Sequence, residues 1–258
     1  MTIPIQAAVE RLIEARSTLR PVASFSEAQG ELTLEHAYAI QDALRAELDR
    51  RGERPIGWKL GATSPSGQAV MGVTEPACGF LTASQHASGA ALSLSRFANV
   101  GVEAEVAFRM RAELAGPGVT PATAVLAVEG AAAALELPDF IFSGTARIGD
   151  FVANSVHAKA IVVRTPFIPL EQLDLAREEI VYEQNDVVVG TYAATEVMGN
   201  PLNALAWLAN HLPTRGLALS PGDVVMSGSI SKMVRPKAGD TIRARFAHLG
   251  MVSVSFVP

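Results

Sequence analysis

The sequence predicts an α+β protein, with a small N-terminal helical subdomain over residues 1–54 and a larger strand-rich domain over residues 55–258. Three observations carry this reading. Apolar residues in the first fifty positions recur at helical spacing. Gly52 and Pro55 then interrupt the pattern and place the one boundary near Arg54. Beyond it, stretches such as Val102-Glu103-Ala104-Glu105-Val106-Ala107-Phe108 and residues 251–257 alternate with the period of two that marks strands.

Bulk properties narrow the function classes. A chain of 258 residues with 49% apolar content can bury a substantial core. Its 21 Lys and Arg against 26 Asp and Glu give a formal charge of −5, which offers no basic footprint for nucleic acid. The single Cys78 excludes an internal disulfide framework and reads as a small buried hydrophobe in a reducing compartment. Glu10, Arg11, Glu14 and Arg16 interrupt the N-terminal apolar residues, so no signal peptide is expected. The Ala-rich segment near Val125 is broken by Glu129 and Glu136, so no apolar run reaches the roughly 18 residues of a membrane span. A soluble, cytoplasmic protein without a membrane partner is the expectation.

Taken in order, Ile5, Val9, Leu12 and Ile13 predict an amphipathic helix over 5–16, followed by a loop over 21–30. Thr33 is an N-cap candidate for a second helix running to Arg50, with Leu34, Ala37, Tyr38, Gln41, Leu44 and Leu48 on one stripe. Residues 72–81 read as a loop, and 92–110 contain the strand bearing Glu103 and Glu105. Thr120 and Pro121 cap and open a helix over 122–128. Ala133, Leu135 and Leu137, stopped by Pro138, read as a strand or extended exit carrying Glu136, with Asp139 beyond it. Asp150 and Asn154 fall in a loop-to-helix segment, and 158–163 is a buried strand-like run. A hairpin over 180–182 and 187–192 turns at 184–186. Asn200 and Pro201 start a helix through Leu202, Leu205, Leu208 and Leu212 that stops before Gly216, and strands follow at 224–226, 241–246 and 251–257.

Two features carry chemistry. On a strand, Glu103 and Glu105 stand side by side while Val102, Ala104, Val106 and Phe108 face the other way. Two neighbouring carboxylates repel each other, and a hard cation such as Mg²⁺, with oxygen ligands at about 2.1 Å, would compensate them. A wet edge strand carrying the pair for solubility is the plain alternative. Lys59 lies between Trp58 and Leu60, which predict burial. It either snorkels to solvent, the reading the sequence favours, or sits in a cleft as an acid, base or carboxylate anchor.

Several stretches together resemble the 2-hydroxypenta-2,4-dienoate hydratases and 4-oxalocrotonate decarboxylases of the fumarylacetoacetate hydrolase superfamily. They are Gly57-Trp58-Lys59-Leu60-Gly61-Ala62-Thr63-Ser64, the Glu103 strand, Ala134-Leu135-Glu136-Leu137-Pro138-Asp139, the segment from Gly199 to Asn210, and Gly222-Asp223-Val224-Val225-Met226-Ser227-Gly228-Ser229. The resemblance implies a mixed β-sheet rolled into a pseudo-barrel and a Mg²⁺ or Mn²⁺ held by Glu103, Glu105 and Glu136. It implies Lys59 as the active-site lysine, and Leu60, Asn154, His157 and Ser229 as pocket residues. The implied substrate is a small 2-oxo or 2-hydroxydienoic acid, converted through a metal-stabilised enolate. Hydration is the main expectation and decarboxylation of a 2-oxo-3-enedioate the alternative. A homo-oligomer is implied, or a complex with a related hydratase or decarboxylase.

The chain departs from the family pattern in two places. Residues 82–85 read Thr-Ala-Ser-Gln where relatives commonly carry an acid, and Ser155-Val156-His157 replaces small hydroxyl residues. His157 is either a proton shuttle near neutral pH or a structural histidine. Two further readings stay open: an acylpyruvate-type C–C hydrolase and a non-catalytic partner subunit. The first wants a His–Glu dyad, and His36 with Glu35 reads instead as solvated.

Overall fold

The computed structural model describes residues 3–258. Helix α1 (Ile5–Thr18) is followed by a two-residue strand β1 (Val22–Ala23), a short helix α2 (Phe25–Gln29) and the long helix α3 (Leu34–Arg50). The segment expected as a loop over 21–30 therefore holds two elements. Their cause is local: the Ser24 hydroxyl accepts from Glu27 N and caps α2, while β1 pairs with β8 (Phe142–Ser143). Thr33 caps α3 as the spacing predicts, accepting from His36 N. His36 is not simply solvated, since its Nε2 lies 2.8 Å from Ile3 O.

The chain then enters β2 (Pro55–Gly61), helix α4 (Pro65–Met71), β3 (Ala77–Thr82), β4 (Gln85–Ala87), β5 (Ala90–Ser93) and β6 (Glu103–Met110). The 72–81 loop thus gives way to a strand at Ala77, and α4 is an element the apolar pattern did not announce. Its signals were Ser64 as N-cap and Pro65 at the first turn. Helix α5 (Pro121–Ala124) tightens into a 3₁₀ turn and stops before Val128, where the ten-residue β7 (Val128–Leu137) begins. After β8 come α6 (Ile148–Ala153), β9 (Ala160–Val163), the hairpin β10 (Glu179–Gln184) and β11 (Val187–Ala193), α7 (Pro201–His211), β12 (Val224–Met226), β13 (Thr241–Phe246) and β14 (Gly250–Val257). Asn185 and Asp186 both take positive φ at the hairpin, the backbone a two-residue turn requires.

Seven strands form one mixed sheet in the order β3-β2-β12-β6-β7-β9-β4, and five form a second, β11-β10-β13-β14-β5. The first sheet is rolled. Laid flat, β3 and β4 at its opposite edges would lie about 29 Å apart at six strand spacings of roughly 4.8 Å. Only Ala83 and Ser84 separate them in sequence, a reach of about 11 Å. The edges must therefore meet, and Ser84 O accepts from Ile161 N on β9 at 3.0 Å.

Rolling gives the sheet two unequal faces. Val102, Ala104, Val106 and Phe108 face the main core, which the five-stranded sheet and the N-terminal helices share. Inside the roll, Ala107, Ala132 and Ala134 make a smaller cluster with Ile161, Val224 and Met226. Alanines suit the inner face because a curled sheet leaves little room there. No helix among the described residues is long and apolar enough to cross a membrane.

One close approach sets the register of β2. Gly57 has φ +147°, and a Cβ there would lie 1.9 Å from Val224 O on the paired strand β12. Gly57→Ala is expected to lower the thermal midpoint by more than about 10 °C or to abolish soluble expression. Gly52→Ala, also at positive φ but facing open space, should cost only about 1 kcal/mol in urea unfolding.

Candidate metal centre

β6 runs between β12 and β7, so Glu103 and Glu105 are not on a wet edge. They point to the inner face, and the antiparallel register sets Glu136 of β7 opposite Glu103. Glu105 and Glu136 are fully buried, and one carboxylate oxygen from each of the three lies within 4.8 Å of the others. Burial is the largest cause that raises all three pKa values, with Lys59 opposing it in each case. For Glu103, pushed up to about 7, and for Glu105, held well above the usual range, the Glu136 charge adds to the rise.

The protein's own compensation is partial. Lys59 Nζ donates to Glu136 Oε2 at 2.6 Å and to Val156 O at 3.0 Å, and Gly228 N donates to Glu105 Oε2 at 2.8 Å. Lys59 is 3% exposed, so it does not snorkel. Burial alone would lower its pKa, but the charges of Glu136, Glu105 and Glu103 outweigh burial and hold the ammonium protonated. Glu105 Oε1 and Glu136 Oε1 remain buried without a partner. Three carboxylates against one ammonium, with two orphaned oxygens, fit a hard divalent cation.

Asp139 and Asp150 are separate from this cluster. Asp139 accepts from Ala98 N and Asn99 N, and Asp150 from Phe25 N, Ser26 N and Arg147 N, so both are structural anchors.

Above the carboxylates opens a cavity of about 690 Å³ bordered by Lys59, Leu60, Glu103, His157 and Ser229. Leu60 sends its side chain into the main core on the face opposite Lys59, so it shapes the wall and offers no polar contact. The Ser229 hydroxyl donates to Ser231 O at 2.7 Å and lies near enough to Glu103 to favour its charged form. Tyr192, Glu196 and Lys232 also border the cavity, as do Ser66, Val70 and Met71 of α4; none of these was singled out from sequence. They come from segments distant in the chain, and no local pattern joins them.

Ser155, Val156 and His157 take φ of 52°, 55° and 60°, three consecutive left-handed residues without a glycine. Such backbone costs roughly 1–2 kcal/mol per residue and persists only when neighbours fix it. Here Ser155 Oγ donates to Phe80 O at 2.8 Å, while Val156 O accepts from Lys59. The turn delivers the His157 ring among Phe140, Phe142 and Phe151.

Asn154 does not reach the cavity; it stands behind His157. Arg16 Nη1 donates to Asn154 Oδ1 at 2.7 Å, which fixes the carboxamide so that its Nδ2 donates to His157 Nδ1, 3.1 Å away. Nδ1 being an acceptor, the proton of the neutral ring sits on Nε2, which has no partner among the described residues. Burial, then the charges of Lys59, Arg16 and Arg235, lower the His157 pKa to about 3. The geometry thus makes it a fixed neutral donor at neutral pH and disfavours a proton shuttle. The acid-free segment 82–84 lies elsewhere, on a second cavity.

Two measurements test this centre. Mg²⁺ at about 100 times its dissociation constant should stabilise the protein by about 2.7 kcal/mol. Glu105→Gln should abolish that gain yet melt no lower than the wild type in chelator, because it removes a repelling charge. For His157, ¹⁵N NMR should show the Nε2–H tautomer unchanged from pH 8 to 5. Because the folded pKa lies below the unfolded value of about 6.5, the unfolded chain binds the extra proton, so this residue's contribution lowers stability as pH falls from 6.5 towards 3.

Residues 67–257 match the fumarylacetoacetate (FAA) hydrolase C-terminal family model. The chain is 33% identical over 256 residues to a 2-hydroxyhexa-2,4-dienoate hydratase of Comamonas testosteroni, covering 98% of this chain and 97% of the relative. It is 33% identical over 229 residues to a 4-oxalocrotonate decarboxylase of Pseudomonas putida, covering 88% of this chain and 87% of that one. The structure of 4-oxalocrotonate decarboxylase from Pseudomonas putida G7, complexed with magnesium and adipate, superimposes with a TM-score of 0.94 at 29% identity, over 98% of this chain and 97% of that one. With the rolled sheet, the carboxylate cluster and end-to-end similarity in agreement, the chain belongs to the fumarylacetoacetate hydrolase C-terminal family.

Proposed function

We propose that the protein is a divalent-metal-dependent lyase that hydrates a 2-hydroxyalka-2,4-dienoate to a 4-hydroxy-2-oxo acid. The observation that carries the reading is the buried Glu103, Glu105 and Glu136 cluster with its two unpartnered oxygens at the base of a cavity sized for a small acid. We assign these three as the ligands of a Mg²⁺ or Mn²⁺. When bound, the cation supplies electrostatic stabilisation of the negative charge developing on the substrate's 2-oxo oxygen.

The remaining chemistry falls to the chain. Lys59, held protonated, anchors the substrate carboxylate or returns a proton to the carbon skeleton. The His157 Nε2–H donates from the opposite wall, and Ser229 orients the polar end of the substrate. Phe140 and Phe151 keep water from the hydrocarbon portion. A second reading, decarboxylation of a 2-oxo-3-enedioate, is favoured by the similarity to 4-oxalocrotonate decarboxylases and needs the same charge stabilisation. The protein is proposed to work in the cytoplasm as a homo-oligomer, or in a complex with a related hydratase or decarboxylase.

Purified protein with Mg²⁺ should deplete the ultraviolet absorbance of 2-hydroxypenta-2,4-dienoate. CO₂ release from 2-oxohex-3-enedioate instead would select decarboxylation, and turnover of an acylpyruvate alone would sink both. Lys59→Met is expected to lower kcat by about 10²–10⁴ while leaving metal-dependent stabilisation in place.

A further inference from the structure

A second cavity, of about 430 Å³, lies where α1 and the end of α3 meet the closing edge of the roll. Arg16, Arg51, Arg96, Lys159 and His86 border it, against a single acid, Glu53. Arg51 is already held by Glu47 at 2.7 Å. Arg16 spends its two hydrogen bonds on neutral oxygens, Asn154 Oδ1 and Ala158 O, and so keeps both its charge and most of its N–H donors. Lys159 and Arg96 make no side-chain hydrogen bond or ion pair with any described residue. The adjoining turn, Thr82-Ala83-Ser84, brings no acid.

The electrostatics agree with this inventory. Burial, then repulsion from Arg16, lowers the Lys159 pKa, and Asp139 and Glu53 offset only part of it. Burial and Arg96 lower that of His86 in the same way. Unpaired cations on a partly desolvated concave wall attract an anion more strongly than they would in water. Guanidinium groups suit ligands that present two oxygens at once.

We propose that this cavity binds a small doubly charged oxyanion, inorganic phosphate or a short dicarboxylate, between Arg16, Arg96 and Lys159. None of Glu103, Glu105 and Glu136 borders it, so the proposal does not rest on the metal centre or on the lyase reading. Arg16 is the element the two regions share, since it also orients Asn154 and, through it, His157.

The test is calorimetric titration and thermal unfolding of the Mg²⁺-loaded protein with phosphate in one arm and succinate in the other, each against sodium chloride of equal ionic strength. Saturable binding is expected in at least one arm, and which arm responds identifies the source of the oxyanion. Arg96→Ala, which changes an exposed side chain, and Lys159→Met, which keeps the apolar stem, should each weaken it about tenfold. Glu105→Gln should leave it unchanged. No response beyond chloride in either arm overturns the proposal. So does a response that both cation variants retain, or one that Glu105→Gln removes, since the anion would then sit at the metal centre.

Discussion

Three carboxylates forced onto the inner face of a rolled sheet are the constraint around which the molecule is arranged. Burial disfavours all three charged forms, the Glu136 charge adds to this for Glu103 and Glu105, and one ammonium cannot neutralise them. The surrounding strands supply the rest through geometry. The register of β6 against β7 pairs Glu103 with Glu136, and the alignment of β2 with β12 puts Lys59 on the same face. Alanines at 107, 132 and 134 keep the interior narrow enough for the groups to converge.

The N-terminal helices take part in the site and do not merely cap the barrel. Arg16 lies 138 residues from Asn154 in the chain, yet it decides which way that carboxamide faces. The orientation passes to His157 and fixes which ring nitrogen carries the proton. The strained turn over Ser155 to His157 is tolerated because β2 and β3 hold it at two points. Helix, turn and sheet therefore share the cost of one placed imidazole.

Much of this was legible in the sequence, and the reasons are local. The alternation around Glu103, the Thr33 cap and the Asn200-Pro201 helix start each follow from a few adjacent residues. The two short helices were missed because their cues are a single serine or proline beside weakly patterned residues. Lys59 could be narrowed only to a choice, since the partner that buries it is Glu136, far along the chain. The Arg16 to His157 chain and the second cavity have no sequence signature, because each joins segments through the curl of the sheet. The acid-free 82–85 segment could be noticed but not located: its residues 82–84 border the second cavity, and none of the four borders the cavity above the metal centre.

The two-residue join of Ala83 and Ser84 has a mechanical meaning. It ties the two edges of the seven-stranded sheet together covalently, and the carboxylates on its inner face stand on β6 and β7, strands paired on both sides. Opposite them stands the helix Pro65–Met71, which has no buried side chain and leaves Val70 84% exposed. The cavity thus has one wall built from strands paired on both sides and another built from a helix that buries no side chain.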